Sequence, residues 1–183
     1  MINIYKLKLT NLQQEILRLL FVRAEKSMNQ RQIAKVLGVS PPAVMKAIPQ
    51  MEEDELILVQ QDKESKRWSI KLNRDNPKVI QLKRADNLKL MYESGLFDYI
   101  EHEFAGAEAI ILFGSYSLGE DTTDSDIDLA VIGRKDKLVD LDKFEKALER
   151  EININFYDSF SDIHKHLRAN LFNGIILSGG VEL

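Results

Sequence analysis

Two aspartates, two positions apart in an apolar segment, are the residues of this sequence best suited to chemistry. Asp126 and Asp128 alternate with Ile127, Leu129 and Val131. In a β-strand, successive side chains point to opposite faces, so the apolar residues are predicted to enter the core while both carboxylates project from the other face. Magnesium, a hard cation, prefers such oxygen ligands. We therefore predict a metal site at Asp126 and Asp128.

A glycine and a serine lie upstream of this pair, where the apolar run 109–113 ends. Because it has no side chain, Gly114 lets a triphosphate approach the main chain closely, and Ser115 adds a hydroxyl group beside backbone amides. We expect phosphates and metal to meet between the strand that ends here and the strand that carries the aspartates.

Two other phosphate or cation motifs fail on the residues that they require. Gly114 and Gly119 have the spacing of a P-loop, but Glu120 and Asp121 stand where a lysine and a hydroxyl residue must bind phosphate and magnesium. An EF-hand loop that begins at Asp121 or Asp124 has the wrong residues at its glycine and glutamate positions.

The segment 113–129, with Phe-Gly-Ser at its start and Ser-Asp-Ile-Asp-Leu at its end, closely resembles the nucleotidyltransferase superfamily that includes DNA polymerase beta. It is most similar to the minimal MNT-type branch. The resemblance implies a domain that binds a nucleoside triphosphate, with ATP as the first candidate, together with Mg²⁺. Gly114 and Ser115 would hold the β and γ phosphates. The resemblance also implies that Asp126 and Asp128 hold the metals and are catalytic.

The same resemblance implies transfer of a nucleotidyl group, with AMP as the first candidate, to an acceptor. Minimal members often pair with helical HEPN proteins in toxin–antitoxin modules, so the acceptor is expected to be a partner protein. The chain would then act as an antitoxin that regulates its own operon.

A third carboxylate, which the superfamily expects on the strand over 151–156, is replaced here. The position falls on Asn155 or Asn153, and Glu151 is an alternative at the strand end. Asparagine offers an oxygen to a metal but cannot accept a proton from the acceptor. Three interpretations therefore stay open: an active nucleotidyltransferase, a transcription regulator whose impaired domain senses nucleotide or a partner, and a neutralising protein that acts by binding alone.

The elements around this motif favour a small mixed sheet covered by helices. Apolar spacing predicts a helix over 138–148, a strand over 152–156, a helix over 163–172 and a short strand over 175–177. Two further helices over 78–104 are expected to connect this domain to the first half of the chain.

The first half has the pattern of a helix-turn-helix followed by a hairpin. Thr10, Asn29 and Ser40 are predicted N-caps of three helices, and Gly38 is predicted to end the second helix. Two strand-like runs, 56–59 and 68–72, flank a polar loop. Residues 9–73 resemble the winged helix-turn-helix domains of bacterial and archaeal transcription regulators, which implies DNA binding.

The residues predicted to contact DNA are Lys46 and Gln50 on the third helix and Lys63, Lys66 and Arg67 on the wing. Lysine and arginine side chains hold phosphates, which position a protein without reading sequence. The alternative is a winged helix used for dimerisation or for docking a partner. Pro49 is predicted to kink the third helix, because it removes one backbone hydrogen bond.

The two halves of the chain also differ in net charge, and the change falls near residue 75. Residues 1–75 hold 13 of the 25 lysine and arginine residues but only 9 of the 29 aspartate and glutamate residues. The first half is therefore basic, which suits polyanion contact, and the second is acidic, which suits bound cations.

The composition and the apolar runs of the chain exclude several kinds of chemistry and a membrane-spanning segment. The chain has no cysteine, which excludes disulfides and thiolate chemistry, and its apolar runs are too short for a membrane span. We predict a cytoplasmic α/β (α+β) protein with three parts: a winged helix-turn-helix domain at 1–75, a helical connector at 76–104 and a nucleotidyltransferase-like domain at 105–183. A homodimer is expected, and no membrane partner.

Overall fold

The computed structural model describes residues 9–61 and 68–181 of the 183-residue chain. Its contacts divide the chain into two compact units, one up to Val79 and the other from Ile80.

Three helices and a two-stranded sheet form the N-terminal unit. They are α1 (Asn11–Val22), α2 (Gln30–Leu37), α3 (Pro41–Glu53), β1 (Ile57–Gln61) and β2 (Trp68–Leu72). The predicted caps are all present: the side chains of Thr10, Asn29 and Ser40 each accept a hydrogen bond from a backbone amide of the helix that follows. Gly38 ends α2 with φ +67°, a left-handed conformation that glycine adopts at little cost.

The three helices and the sheet of this unit share one core. Apolar residues from each element, such as Ile16, Ile33, Met51 and Ile70, are fully buried together. β1 and β2 pair antiparallel. The predicted winged helix-turn-helix is therefore confirmed. Pro49 lies inside α3 without ending it, since the helix runs on to Glu53.

The C-terminal unit holds most of the remaining elements. They are α4 (Pro77–Glu93), which begins just before the unit boundary, α5 (Leu96–Glu103), β3 (Ala109–Phe113), α6 (Gly114–Leu118), β4 (Ile127–Ile132), α7 (Asp142–Leu148), β5 (Ile152–Tyr157), a 3-10 turn (Phe160–Asp162), α8 (Lys165–Phe172) and β6 (Ile175–Gly179). Helices α4 and α5 occupy the segment 76–104, whose separate status as a connector stays a prediction. Among the described residues, no helix has both the length and the apolar character needed to cross a membrane.

The sheet of this unit is mixed, as predicted. Its strand order is β5-β4-β3-β6, with β4 and β5 parallel and the other two pairs antiparallel. Strand β4 is buried on both faces: Leu129 and Val131 enter one apolar cluster, while Ala130 and Ile132 enter a second cluster that includes Leu171 of α8. Asp128 therefore lies at the end of a covered face and not on an open one.

The helix predicted over 138–148 is shorter than expected. It begins at Asp142, and Leu138 is 98% exposed. Just before the helix, the backbone amide of Asp140 donates to the Tyr99 hydroxyl oxygen at 3.2 Å, and the Asp140 carboxylate accepts from the amide of Asp142. These contacts hold an irregular segment where apolar spacing alone predicts another turn of helix.

A buried ionic cluster holds the loop between α6 and β4. Asp121, only 1% exposed, accepts hydrogen bonds from Lys83, from Asn87 at 2.7 Å and from Arg150 at 3.2 Å. Asn87 also donates to the Tyr116 carbonyl oxygen at 2.9 Å. Because Lys83 and Asn87 belong to α4 and Arg150 precedes β5, the cluster ties the loop to two other elements.

Removal of the central carboxylate is expected to destabilise this unit strongly. Asp121→Ala removes the buried carboxylate that Lys83, Asn87 and Arg150 share, so the free energy of unfolding should fall by about 3–5 kcal/mol. Urea denaturation followed by circular dichroism measures this change. The control is Asp124→Ala, an exposed site in the same loop, which should change stability by less than about 0.5 kcal/mol. Equal effects at the two sites would contradict the structural role of Asp121.

Candidate active site

The candidate site is built around the turn that joins β3 to α6. Gly114 has φ +71°, and a Cβ atom added to it would lie 2.6 Å from the Asp128 carboxylate oxygen Oδ2. The carbonyl oxygen of Gly114 accepts a hydrogen bond from the Ser117 hydroxyl at 2.8 Å. The positive φ favours a glycine here, and any side chain at this position would also have to displace the Asp128 carboxylate.

Both aspartates of the predicted metal site are half-buried beside this turn. Asp128 lies in β4, opposite Phe113 of β3, and Asp126 directly precedes the strand. Burial raises the pKa of the Asp128 carboxyl group above its ordinary value, and the negative charge of Asp126 raises it further, whereas a hydrogen bond from Asn153 opposes this shift. Two carboxylates thus share a region in which their charge is only partly compensated.

The two asparagines of β5 have different surroundings. Asn153 lies opposite Asp128 in the parallel pairing, and its amide nitrogen donates to Asp126 Oδ2 at 2.9 Å. Asn155 lies opposite Ala130 and donates to the Leu129 carbonyl oxygen at 3.4 Å. The structure therefore places Asn153, and not Asn155, with the two aspartates.

The residues of this site fit a magnesium ion that arrives with a nucleotide. Mg²⁺ is usually bound through one or two protein carboxylates, with phosphate oxygens and water completing its shell, and Asp126 and Asp128 provide that number. Their partly compensated negative charge favours a cation. Within residues 9–61 and 68–181, no group of three or more histidine, aspartate and glutamate side chains is placed to hold a metal.

A cavity of about 210 Å³ borders the turn. It is lined by Gly114, Ser115, Ser117, Leu118, Glu120, Asn170 and Asn173. Among the described residues that line it, none is basic. A phosphate group could receive hydrogen bonds from hydroxyl and amide groups here, but its charge would have to be balanced by a metal.

A larger cleft of about 620 Å³ lies beside Asp126, and its lining is mainly acidic, which does not suit a phosphate group. Six carboxylates and two basic side chains line it, together with Thr123 and Ser125. One of the two basic groups, Arg150, already binds Asp121. This surplus of negative charge disfavours a triphosphate in the cleft, so the smaller cavity beside Gly114 is the better place for phosphates.

The sequence did not lead us to predict two features: the buried lysine of α4 and the asparagines at the end of α8 that line the smaller cavity. Lys83 is fully buried, although a lysine in a helix is ordinarily placed in solvent. The available signal was its spacing, because Val79, Lys83, Asn87 and Met91 recur every four residues and all four are buried. Asn170 and Asn173 carried only a weak signal, the three-residue spacing that puts them on one side of α8.

The predicted DNA-binding residues are described in part. Lys46 and Gln50 are exposed and lie one turn apart on α3, so both side chains are accessible from the same side of the helix. Lys63, Lys66 and Arg67 lie outside the described residues. The predicted contact of these five residues with DNA stays a prediction.

Comparisons with known proteins match the two halves of the chain separately. Residues 9–68 match the family model described as "MarR family", and residues 94–177 match the model described as "Nucleotidyltransferase domain". A comparison with curated proteins gave no match.

Solved structures similar to part of the chain include three bacterial proteins. A variant of ZitR from Lactococcus lactis is 24% identical over 57% of this chain and 68% of that one, with a TM-score of 0.42. A variant of MepR from S. aureus is 26% identical over 42% of this chain and 56% of that one, with a TM-score of 0.36. The adhesin competence repressor AdcR from Streptococcus pyogenes is 21% identical over 57% and 72%, with a TM-score of 0.43.

The close approach of Asp128 to Gly114 leads to a testable difference between two glycines. Gly95 also has a positive φ, +74°, but a Cβ atom there would meet nothing within 4 Å. Gly95→Ala should therefore cost only the left-handed backbone term, about 1–2 kcal/mol in the free energy of unfolding. Gly114→Ala should cost about 1 kcal/mol more, because the added methyl group must displace the Asp128 carboxylate or the turn. Chemical denaturation of both variants measures the difference, and equal losses would contradict it.

Proposed function

We propose that this chain, which joins a MarR-family winged-helix region to a nucleotidyltransferase domain, binds a nucleoside triphosphate with Mg²⁺ and transfers its nucleotidyl group to an acceptor. The observation that carries the proposal is the position of the Asp128 carboxylate against the Gly114 turn, with Asp126 beside it and a phosphate-sized cavity beyond.

Each residue has a definite task in this proposal. Asp126 and Asp128 provide the carboxylate oxygens for the cation, which when bound neutralises the triphosphate and aligns it for in-line displacement. The Ser115 hydroxyl and the main chain at Gly114 hold phosphate oxygens. Asn170 and Asn173 line the same cavity and can donate from their side-chain amides. ATP is the first nucleotide to test.

Transfer is expected to be slow. In the superfamily that this domain resembles, a third carboxylate is expected near the metal site, and here the residue beside the two aspartates is Asn153. An amide cannot accept the proton that an acceptor hydroxyl must lose. This observation favours a second function, in which the domain senses nucleotide or a partner for a transcription regulator.

The N-terminal unit is proposed to bind DNA through α3, with Lys46 at a phosphate and Gln50 facing the groove. We also propose a cytoplasmic location and a homodimer. The acceptor is proposed to be a partner protein, with a HEPN-type helical protein in a toxin–antitoxin module as the first candidate.

Nucleotide binding and nucleotidyl transfer are both tested by one pair of variants. Asp128→Asn keeps the side-chain shape but removes the charge, so it should weaken Mg²⁺-dependent ATP binding about tenfold or more and abolish label transfer from ATP to an acceptor. Asp136→Ala, an exposed aspartate on another loop, should leave both unchanged. Calorimetry and a labelled-ATP assay measure the two steps. Unaltered ATP binding by Asp128→Asn would contradict the assignment of the site.

DNA binding is tested by a mobility shift with DNA from upstream of the gene itself. Lys46→Ala should weaken binding and reduce the dependence of log affinity on log salt by about one ion, because one phosphate contact is lost. Lys89→Ala is the control, because Lys89 lies on α4 and pairs with Glu93 at 3.2 Å. Equal affinity and salt dependence for the two variants would show that α3 does not dock on DNA.

A further inference from the structure

Asn153 differs from Asn155, two residues further along the strand, in its position relative to the two aspartates of the proposed metal site. Both asparagines lie on β5 and pair with β4, but only Asn153 lies opposite an aspartate, Asp128. Its amide also donates to Asp126 Oδ2 at 2.9 Å. The neutral side chain of Asn153 is thus hydrogen-bonded to one residue of the proposed metal site, and the residue lies in register with the other.

This amide changes what the two aspartates can hold. The donated hydrogen bond engages one carboxylate oxygen of Asp126, so fewer of its lone pairs remain for a cation. The amide also adds no negative charge. Two divalent ions about 3.5–4 Å apart repel each other strongly, and anionic ligands between them must offset this repulsion. Two carboxylates, one of them partly engaged, suit a single ion whose shell is completed by phosphate oxygens.

We propose that Asn153 restricts the site to one divalent cation, which is held only when a nucleoside triphosphate is bound with it. This inference rests on the proposed nucleotide function and concerns the metal count of the same site. The C-terminal unit would then respond to whether a nucleotide is bound more than to how fast the nucleotide is consumed.

The experiment counts Mn²⁺ ions on the full-length chain. Electron paramagnetic resonance measures free and bound Mn²⁺, with and without an ATP analogue whose α–β bridge is a methylene group that resists transfer. The native chain should bind no Mn²⁺ tightly on its own and one Mn²⁺ with the analogue. The bound ion should give the six-line spectrum of an isolated ion.

Asn153→Asp should change this count. The new carboxylate removes the donated hydrogen bond and adds a charge beside Asp126 and Asp128, so Mn²⁺ should bind at least about tenfold more tightly without nucleotide. With the analogue, two Mn²⁺ should bind and show a coupled spectrum. Asn155→Asp is the matched control, because it adds the same charge to the same strand opposite Ala130, and it should behave as the native chain.

The outcomes distinguish this proposal from the one on which it rests. Two Mn²⁺ on the native chain, one on Asn153→Asp, or an equal gain in Asn155→Asp would overturn the role of Asn153 and leave the nucleotide function standing. No binding of Mn²⁺ and analogue by the native chain would overturn both. The native count tests the proposal even if Asn153→Asp does not fold.

Discussion

The pairing register of three strands is the constraint on which the candidate site depends. β3 places Phe113 opposite Asp128, so the carboxylate meets the turn that begins at Gly114, and β5 places Asn153 on the other side of the same aspartate. A slip of one residue would turn Asp128 into the apolar layer on the opposite face. Because β4 is buried on both faces, its packing holds the register and therefore the site.

Much of this arrangement could be predicted from the sequence, because its signals are local. Caps such as Thr10 and Asn29 act within one helical turn, and the glycine at 38 ends a helix by its own conformation. The alternation around Asp126 and Asp128 predicted the strand correctly to within one residue. Local signals of this kind need no knowledge of which elements pack together.

What could not be predicted depends on contacts between distant parts of the chain. Alternation puts Asn153 and Asn155 on the same face, and only the register of β5 against β4 distinguishes them. The helical spacing of Lys83 indicates its buried face, but the carboxylate that pairs with it lies 38 residues away in the chain, and helical spacing does not identify that partner. The prediction for Leu138 was wrong in the opposite sense. Its apolar side chain fits a helical spacing, which predicted burial, but the side chain is exposed in the structure.

Ionic strength should act differently on the buried and on the exposed charges of this protein. Lys83, Asp121 and Arg150 are shielded from solvent, so dissolved ions screen their attraction far less than that of exposed pairs such as Lys146 with Asp142. Contacts with a phosphate backbone weaken steeply as salt rises. Salt that weakens the proposed contacts of the N-terminal unit with DNA should therefore leave the conformation of the loop around Asp121, and of the proposed nucleotide site that follows it, unchanged.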